Sequence, residues 1–145
     1  MSGNSDPVYS RQGDVSTNGT TGMSQAITTA ANDFTGVSAN NTLVFTADAT
    51  NGSYVQRLRF KATGTNSSAT TARIFLNNGS TNTTAANNTF YGEITLPAVT
   101  VSATAAQVDI DYPLNFALNP GFRIYVGLAT APTVGWNCTA IAGKY

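Results

Sequence analysis

YVQRLRFKAT (residues 54–63) and TARIFLN (71–77) alternate polar and apolar side chains with period two, and that alternation decides the fold class. In the first run Leu58, Phe60 and Ala62 fall on one face of an extended strand, with Arg57, Arg59 and Lys61 on the other. In the second, Ala72, Ile74 and Leu76 are in phase and Arg73 is opposite. The spacer between them is rich in Thr, Ser, Asn and Gly, so the pair reads as a hairpin. A hairpin would put Arg73 on the same outer face as Arg57, Arg59 and Lys61, and those are four of the seven basic residues in the chain.

Outward from this stretch the same texture recurs. Short β-rich runs lie at 25–30, 42–48, 89–96, 98–103, 107–112, 114–118, 122–130 and 134–142, separated by Asn/Gly/Ser/Thr clusters. Apart from a weak turn near 24–33, no segment sustains a 3.6-residue period. Val108, Ile110 and Tyr112 read as inward with Asp109 and Asp111 outward, and Trp136, Cys138 and Ala140 share a core-facing phase. Asn51-Gly52, Asn78-Gly79 and Asn119-Pro120-Gly121 are turn signals. Pro97 and Pro113 belong at strand ends or edges, because proline cannot donate to a ladder. The expectation is an all-β, jelly-roll-like antiparallel β-sandwich of about eight to ten strands over residues 24–145. Residues 1–23, with few apolar anchors, read as an extended N-terminal arm.

Charged residues make up 10% of the 145, against about 25% in an ordinary soluble domain. Seven basic and seven acidic residues cancel, so no net field draws in nucleic acid or an acidic membrane. Arg57, Arg59 and Lys61 are too few for a phosphate-binding stripe. A surface of hydroxyls and amides costs less to desolvate against another protein than a charged one does. The first residues lack a basic stretch followed by an apolar one, so no signal peptide is expected, and no run approaches a membrane span. That expectation argues against glycosylation at the eight N-x-S/T matches, which begin at Asn18, Asn40, Asn51, Asn66, Asn78, Asn82, Asn87 and Asn137.

The chain has no histidine and one cysteine, Cys138, which reads as a small buried hydrophobe. Histidine-based nucleophile systems, thiolate metal sites and an internal disulfide are thereby excluded, and no phosphate-binding glycine loop is present. No cofactor is expected. The remaining enzymatic option is a carboxylate pair, and Asp109 and Asp111 sit about 7 Å apart along one strand face by strand geometry. For a sugar platform the aromatic candidates are Trp136, Tyr91 and Tyr125, of which Tyr91 has an outward phase.

The runs TARIFLNNGS (71–80), NNTFYGEITLPAVTVSAT (87–104), PLNFALNPGFRIYVGLAT (113–130) and GWNCTAIAGKY (135–145) resemble small β-sandwich virion proteins of tailed bacteriophages. The resemblance spans about residues 54–145 and is closest to capsid decoration, or cement, proteins. It implies a non-enzymatic structural protein, assembled in the host cytoplasm onto the virion surface. Such a protein binds the major capsid protein and itself as a homotrimer, with no nucleic acid or membrane partner. The alternative is a receptor- or glycan-binding sandwich of a phage fibre or tail. The contact candidates are Arg57, Arg59, Lys61, Arg73, Glu93, Asp109 and Asp111. Their acids would neutralise the basic face within one sheet, or form an opposite pole that meets a neighbouring copy.

Overall fold

The computed structural model describes residues 10–17 and 26–145. Among these residues nine strands run in chain order: β1 Gln12–Gly13, β2 Ser16–Thr17, β3 Thr42–Thr46, β4 Ser53–Ala62, β5 Thr70–Asn77, β6 Asn88–Leu96, β7 Ile110–Leu118, β8 Arg123–Leu128 and β9 Trp136–Lys144. A single 3₁₀ turn, Ala85–Asn87, precedes β6. Strands β1 and β2 pair one after the other along the same edge of β9 and act as one interrupted strand. The first sheet then has the order β1/β2–β9–β4–β7 and the second β3–β8–β5–β6, every ladder antiparallel. Consecutive strands from β2 to β9 alternate between the sheets except for β5 and β6, which pair directly within the second sheet, and this gives the eight-position order of a jelly roll.

Both sheets bury their inner faces in one core. Leu58, Phe60 and Ala62 of β4, Ala72 and Ile74 of β5, Ile124, Val126 and Leu128 of β8, and Trp136, Cys138 and Ala140 of β9 all meet there. Each fully buried large side chain contributes about 1.5–3 kcal/mol. The sequence phases at β4, β5 and β9 therefore hold.

The hairpin does not. β4 and β5 lie in different sheets and face one another across the core, so their apolar phases agree although they never pair. Arg73 consequently emerges on the opposite side of the molecule from Arg57, Arg59 and Lys61. Two other runs differ. Residues 98–103 form no strand and make only the isolated bridge of Val99 with Asn66. Residues 107–112 and 114–118 merge into β7 across Pro113, and Val108, just before it, is exposed. Pro113 is tolerated because β7 is an edge strand that, among the described residues, pairs only with β4. Pro97 lies immediately after β6.

Of the expected arm, residues 10–17 are described. They lie against the sandwich, with Asp14 accepting a 2.8 Å bond from the buried Ser53 hydroxyl and Ser16 donating to Val44 O at 3.0 Å. The remainder of the arm, and most of the 25–30 run's approach, lie outside the described residues. Within that run only Ile27 and Ala30 form isolated bridges.

Candidate functional site

The outer face of the first sheet carries five of the charged contact candidates. Arg59 and Asp111 are direct cross-strand partners between β4 and β7. Arg59 forks onto Asp111 through Nε–Oδ1 at 2.8 Å and Nη2–Oδ2 at 2.9 Å, the bidentate geometry that suits guanidinium and carboxylate. Asp109 is clamped by Lys61 and lies 3.7 Å from Arg59 Nη2, while Arg57 Nε is 3.7 Å from Asp111 Oδ2. Lys61 also donates to Gln107 O at 3.2 Å. The hydrogen bond from Arg59 is the main cause that holds the Asp111 carboxyl below its ordinary value; for Asp109 it is the hydrogen bond from Lys61. The acids thus neutralise the basic stripe within one sheet.

The other two candidates, Arg73 and Glu93, are cross-strand partners on the outer face of the second sheet, with Nε–Oε2 at 3.4 Å. Around Arg73 this face is covered. The segment 30–41 lies over it, and Arg73 is only 8% exposed. The guanidinium donates to Asn32 Oδ1 at 2.8 Å and sits 3.8 Å from the centroid of the Phe34 ring. Phe75, on the same outward phase, is fully buried beneath it. The segment is organised by Asp33, whose carboxylate accepts from the amides of Thr35, Gly36 and Ser38 and from the Asn41 carboxamide. Burial pushes the Asp33 carboxyl up, but these bonds outweigh it and leave it lowered. Close approach requires Gly127 of β8, where a Cβ would strike the Asn41 carboxamide oxygen.

At one end of the sandwich, three connections meet: 63–69, 97–109 and 129–135. Their hub is Asn66, fully buried. Its Nδ2 donates to Gly135 O at 2.9 Å, its Oδ1 accepts from Val134 N at 2.8 Å and Gly135 N at 3.2 Å, and its backbone exchanges two 2.9 Å bonds with Val99. Gln107 adds a second clasp, bonding both the N–H and the C=O of Ala62 at 3.1 and 2.9 Å. Asn66 begins one of the N-x-S/T matches, and here its amide nitrogen is committed to the fold. Residues 63–69, 97–108 and 129–135 contain no Asp, Glu, Lys or Arg. They display Val101, Val108 and Val134, at 40%, 81% and 45% exposure. The result is a pre-ordered, uncharged surface with exposed apolar side chains.

Compared with family models, curated proteins and solved structures, the chain matches none of them.

The remaining chemistry is sparse. Asp109 and Asp111 are both held ionised between cations, whereas glycoside hydrolysis needs one carboxyl of the pair kept protonated. Among the described residues no group of three or more His, Cys, Asp and Glu side chains could hold a metal ion, and no helix is long and apolar enough to cross a membrane. Burial pushes the Cys138 thiol far up, away from the thiolate that reacts. Of the aromatic candidates, Trp136 is core and Tyr125 is buried on the covered face, while Tyr91 is exposed. Tyr91 stands at the gap between the two open edges, β6 and β7, with ring contacts to Tyr112 at 6.3 Å and Phe116 at 5.4 Å.

The uncharged loop surface is the site that sequence reading passed over. Charged residues drew attention to the strands, and the signal that could have found the loops was their lack of charge over 97–108 beside apolar Val101 and Val108.

Proposed function

We propose that the protein is a non-enzymatic structural component of a phage virion that decorates and stabilises the capsid by binding major capsid protein subunits, as a homotrimer. The observation that carries this reading is the Asn66-centred loop surface: it is rigidly tied, free of charge and apolar at its three exposed valines. Such a surface is inexpensive to desolvate against a protein and needs little ordering on contact. The charged stripe on the first sheet supports the same reading indirectly. Its ions are satisfied within the chain, so contact falls to the loop end, with the stripe setting solubility and orientation.

The test is co-sedimentation of the purified protein with assembled shells of the phage that encodes it, together with light scattering on the free protein. The expected result is binding by the unaltered protein, abolished by Val101→Asp with Val108→Asp and retained by Arg57→Glu with Arg59→Glu. Both exposed valines can be changed without touching the core. A monomer that leaves the shells unbound and no more heat-resistant overturns the proposal.

A further inference from the structure

At the end of the sandwich opposite the Asn66 hub, the β5–β6 connection and the β7–β8 turn enclose a pocket of about 360 Å³. We propose that this pocket is a binding site for a short neutral saccharide, one or two rings long. The inference stands apart from the capsid reading, since a decoration protein and a fibre module could each carry it.

Its floor is Leu76, Phe116 and Phe122, which pack against the core yet stay half-buried. They remain open because β6 and β7 are edge strands of different sheets and do not pair, leaving the core uncovered at this corner. Farther along the same gap, Tyr91 and Tyr112 close it. A Cβ at Gly92 would meet the Tyr112 hydroxyl, so the glycine admits that ring and the seam stays shut there. The opening is therefore confined to the pocket. Its floor is anchored by the Phe116 ring against Tyr91.

The rim is made of carboxamides, and most are already spoken for. Asn77 Nδ2 donates to Asn88 Oδ1, Asn78 Nδ2 to Asn87 Oδ1, and Asn87 Nδ2 to Thr81 O, at 2.8, 3.2 and 2.9 Å. These bonds fix the rim's shape in advance, which lowers the cost of binding. Two polar groups of the lining are different. The Asn119 carboxamide and the Thr89 hydroxyl make no hydrogen bond to the described residues, and both are exposed. They offer a donor–acceptor pair above an apolar floor. No charged side chain lines the pocket, so an ionic ligand would lose its hydration without a counter-charge. A purely aliphatic ligand would leave the two polar groups unused. A pyranose matches both halves, with its C–H face on the rings and its hydroxyls on Asn119 and Thr89. The volume lies at the small end of the roughly 300–1,000 Å³ typical of ligand sites, which sets the length at one or two rings.

The test is an amide-resonance NMR titration of the full chain with methyl glycosides of neutral hexoses and N-acetylhexosamines, with cyclohexanol as the apolar control. The expected result is saturable shifts at Leu76, Thr89, Phe116, Asn119 and Phe122 with at least one glycoside, and affinity lowered about five-fold by Asn119→Ala, the loss of one hydrogen bond. Asn119 is exposed at the first position of its turn, and Thr89→Val provides a second variant should that turn shift. No saturable shift with any glycoside overturns the proposal. So do shifts located elsewhere, or glycoside shifts that both variants leave unchanged and cyclohexanol reproduces.

Discussion

The outer faces of the two sheets look alike in sequence and differ in every physical respect. RLRFKA and ARIFLN each place an arginine between apolar residues, and these two, Arg59 and Arg73, each have a carboxylate as cross-strand partner. On the first sheet that pairing is about one-third exposed and shared among five charges. On the second sheet a loop closes over Arg73, and the residues around it become a second buried layer. A charged side chain in a strand thus has no fixed meaning. Its environment is set by what another part of the chain lays on top of it.

The comparison is most severely tested by Phe75→Ala. If the covered face is a true second layer of packing, this change should cost about 3–4 kcal/mol in a denaturant melt, as a large-to-small core substitution does. Ile141→Ala, on the outward phase of β9 beside Arg57, should cost less than about 1 kcal/mol. Equal costs would mean that segment 30–41 rests on the sheet without packing against it.

Arg73→Ala should follow at about 2–3 kcal/mol, because it removes the Phe34 stack and the bond to Asn32 from a buried position. Its more telling readout is local. Exchange of the Gly36 and Ser38 amides, both bonded to Asp33, should quicken more than exchange in the β4–β9 ladder. Arg73→Lys should recover only part of the loss, since lysine keeps the charge but not the flat guanidinium that stacks. Uniform exchange across the molecule would show that the segment opens only when everything unfolds.

How much of this was readable from residues alone follows from what periodicity encodes. Period two reports which side of a strand faces the core, and it reported Leu58, Phe60, Ile74 and Trp136 correctly. It is silent on which sheet a strand joins. Two strands on opposite walls of one core carry the same phase as two strands in a hairpin, so β4 and β5 were paired and Arg73 was put on the wrong face. A different signal did mark the covered face. RIFL in β5 and RIYV in β8 are almost continuous apolar runs, as expected of strands buried on both sides. Phe75 and Tyr125 were the residues out of phase, and both are buried under or beside segment 30–41. Val108 failed for another reason: the chain there is held by Gln107 clasping Ala62, and the strand begins only at Ile110. The loop surface around Asn66 depends on hydrogen bonds across as many as 69 residues, beyond the reach of any local pattern.

The smallest effect belongs to the exposed stripe, and its signature is pH and salt dependence rather than size. Asp111 is held below the roughly 3.9 of an unfolded aspartate, first by the Arg59 hydrogen bond and then by attraction to Arg59, Arg57 and Lys61. A carboxyl lowered in the folded state favours folding above about pH 4, and that contribution is lost as the pH falls through the lowered value. Asp111→Asn should therefore be less stable than the unaltered protein at pH 7, with the gap narrowing on acidification below about pH 4. At about 1 M salt, where screening acts within roughly 3 Å, the neutral-pH gap should also shrink, because these groups are in contact with solvent. Asp33→Asn offers the matching measurement in the segment that covers the other face. It replaces a carboxylate bonded to three backbone amides, so its acid dependence should have the same sign, while salt should affect it less. If both variants respond to salt alike, the covered face is as open to ions as the bare one, and the distinction between the two sheets fails.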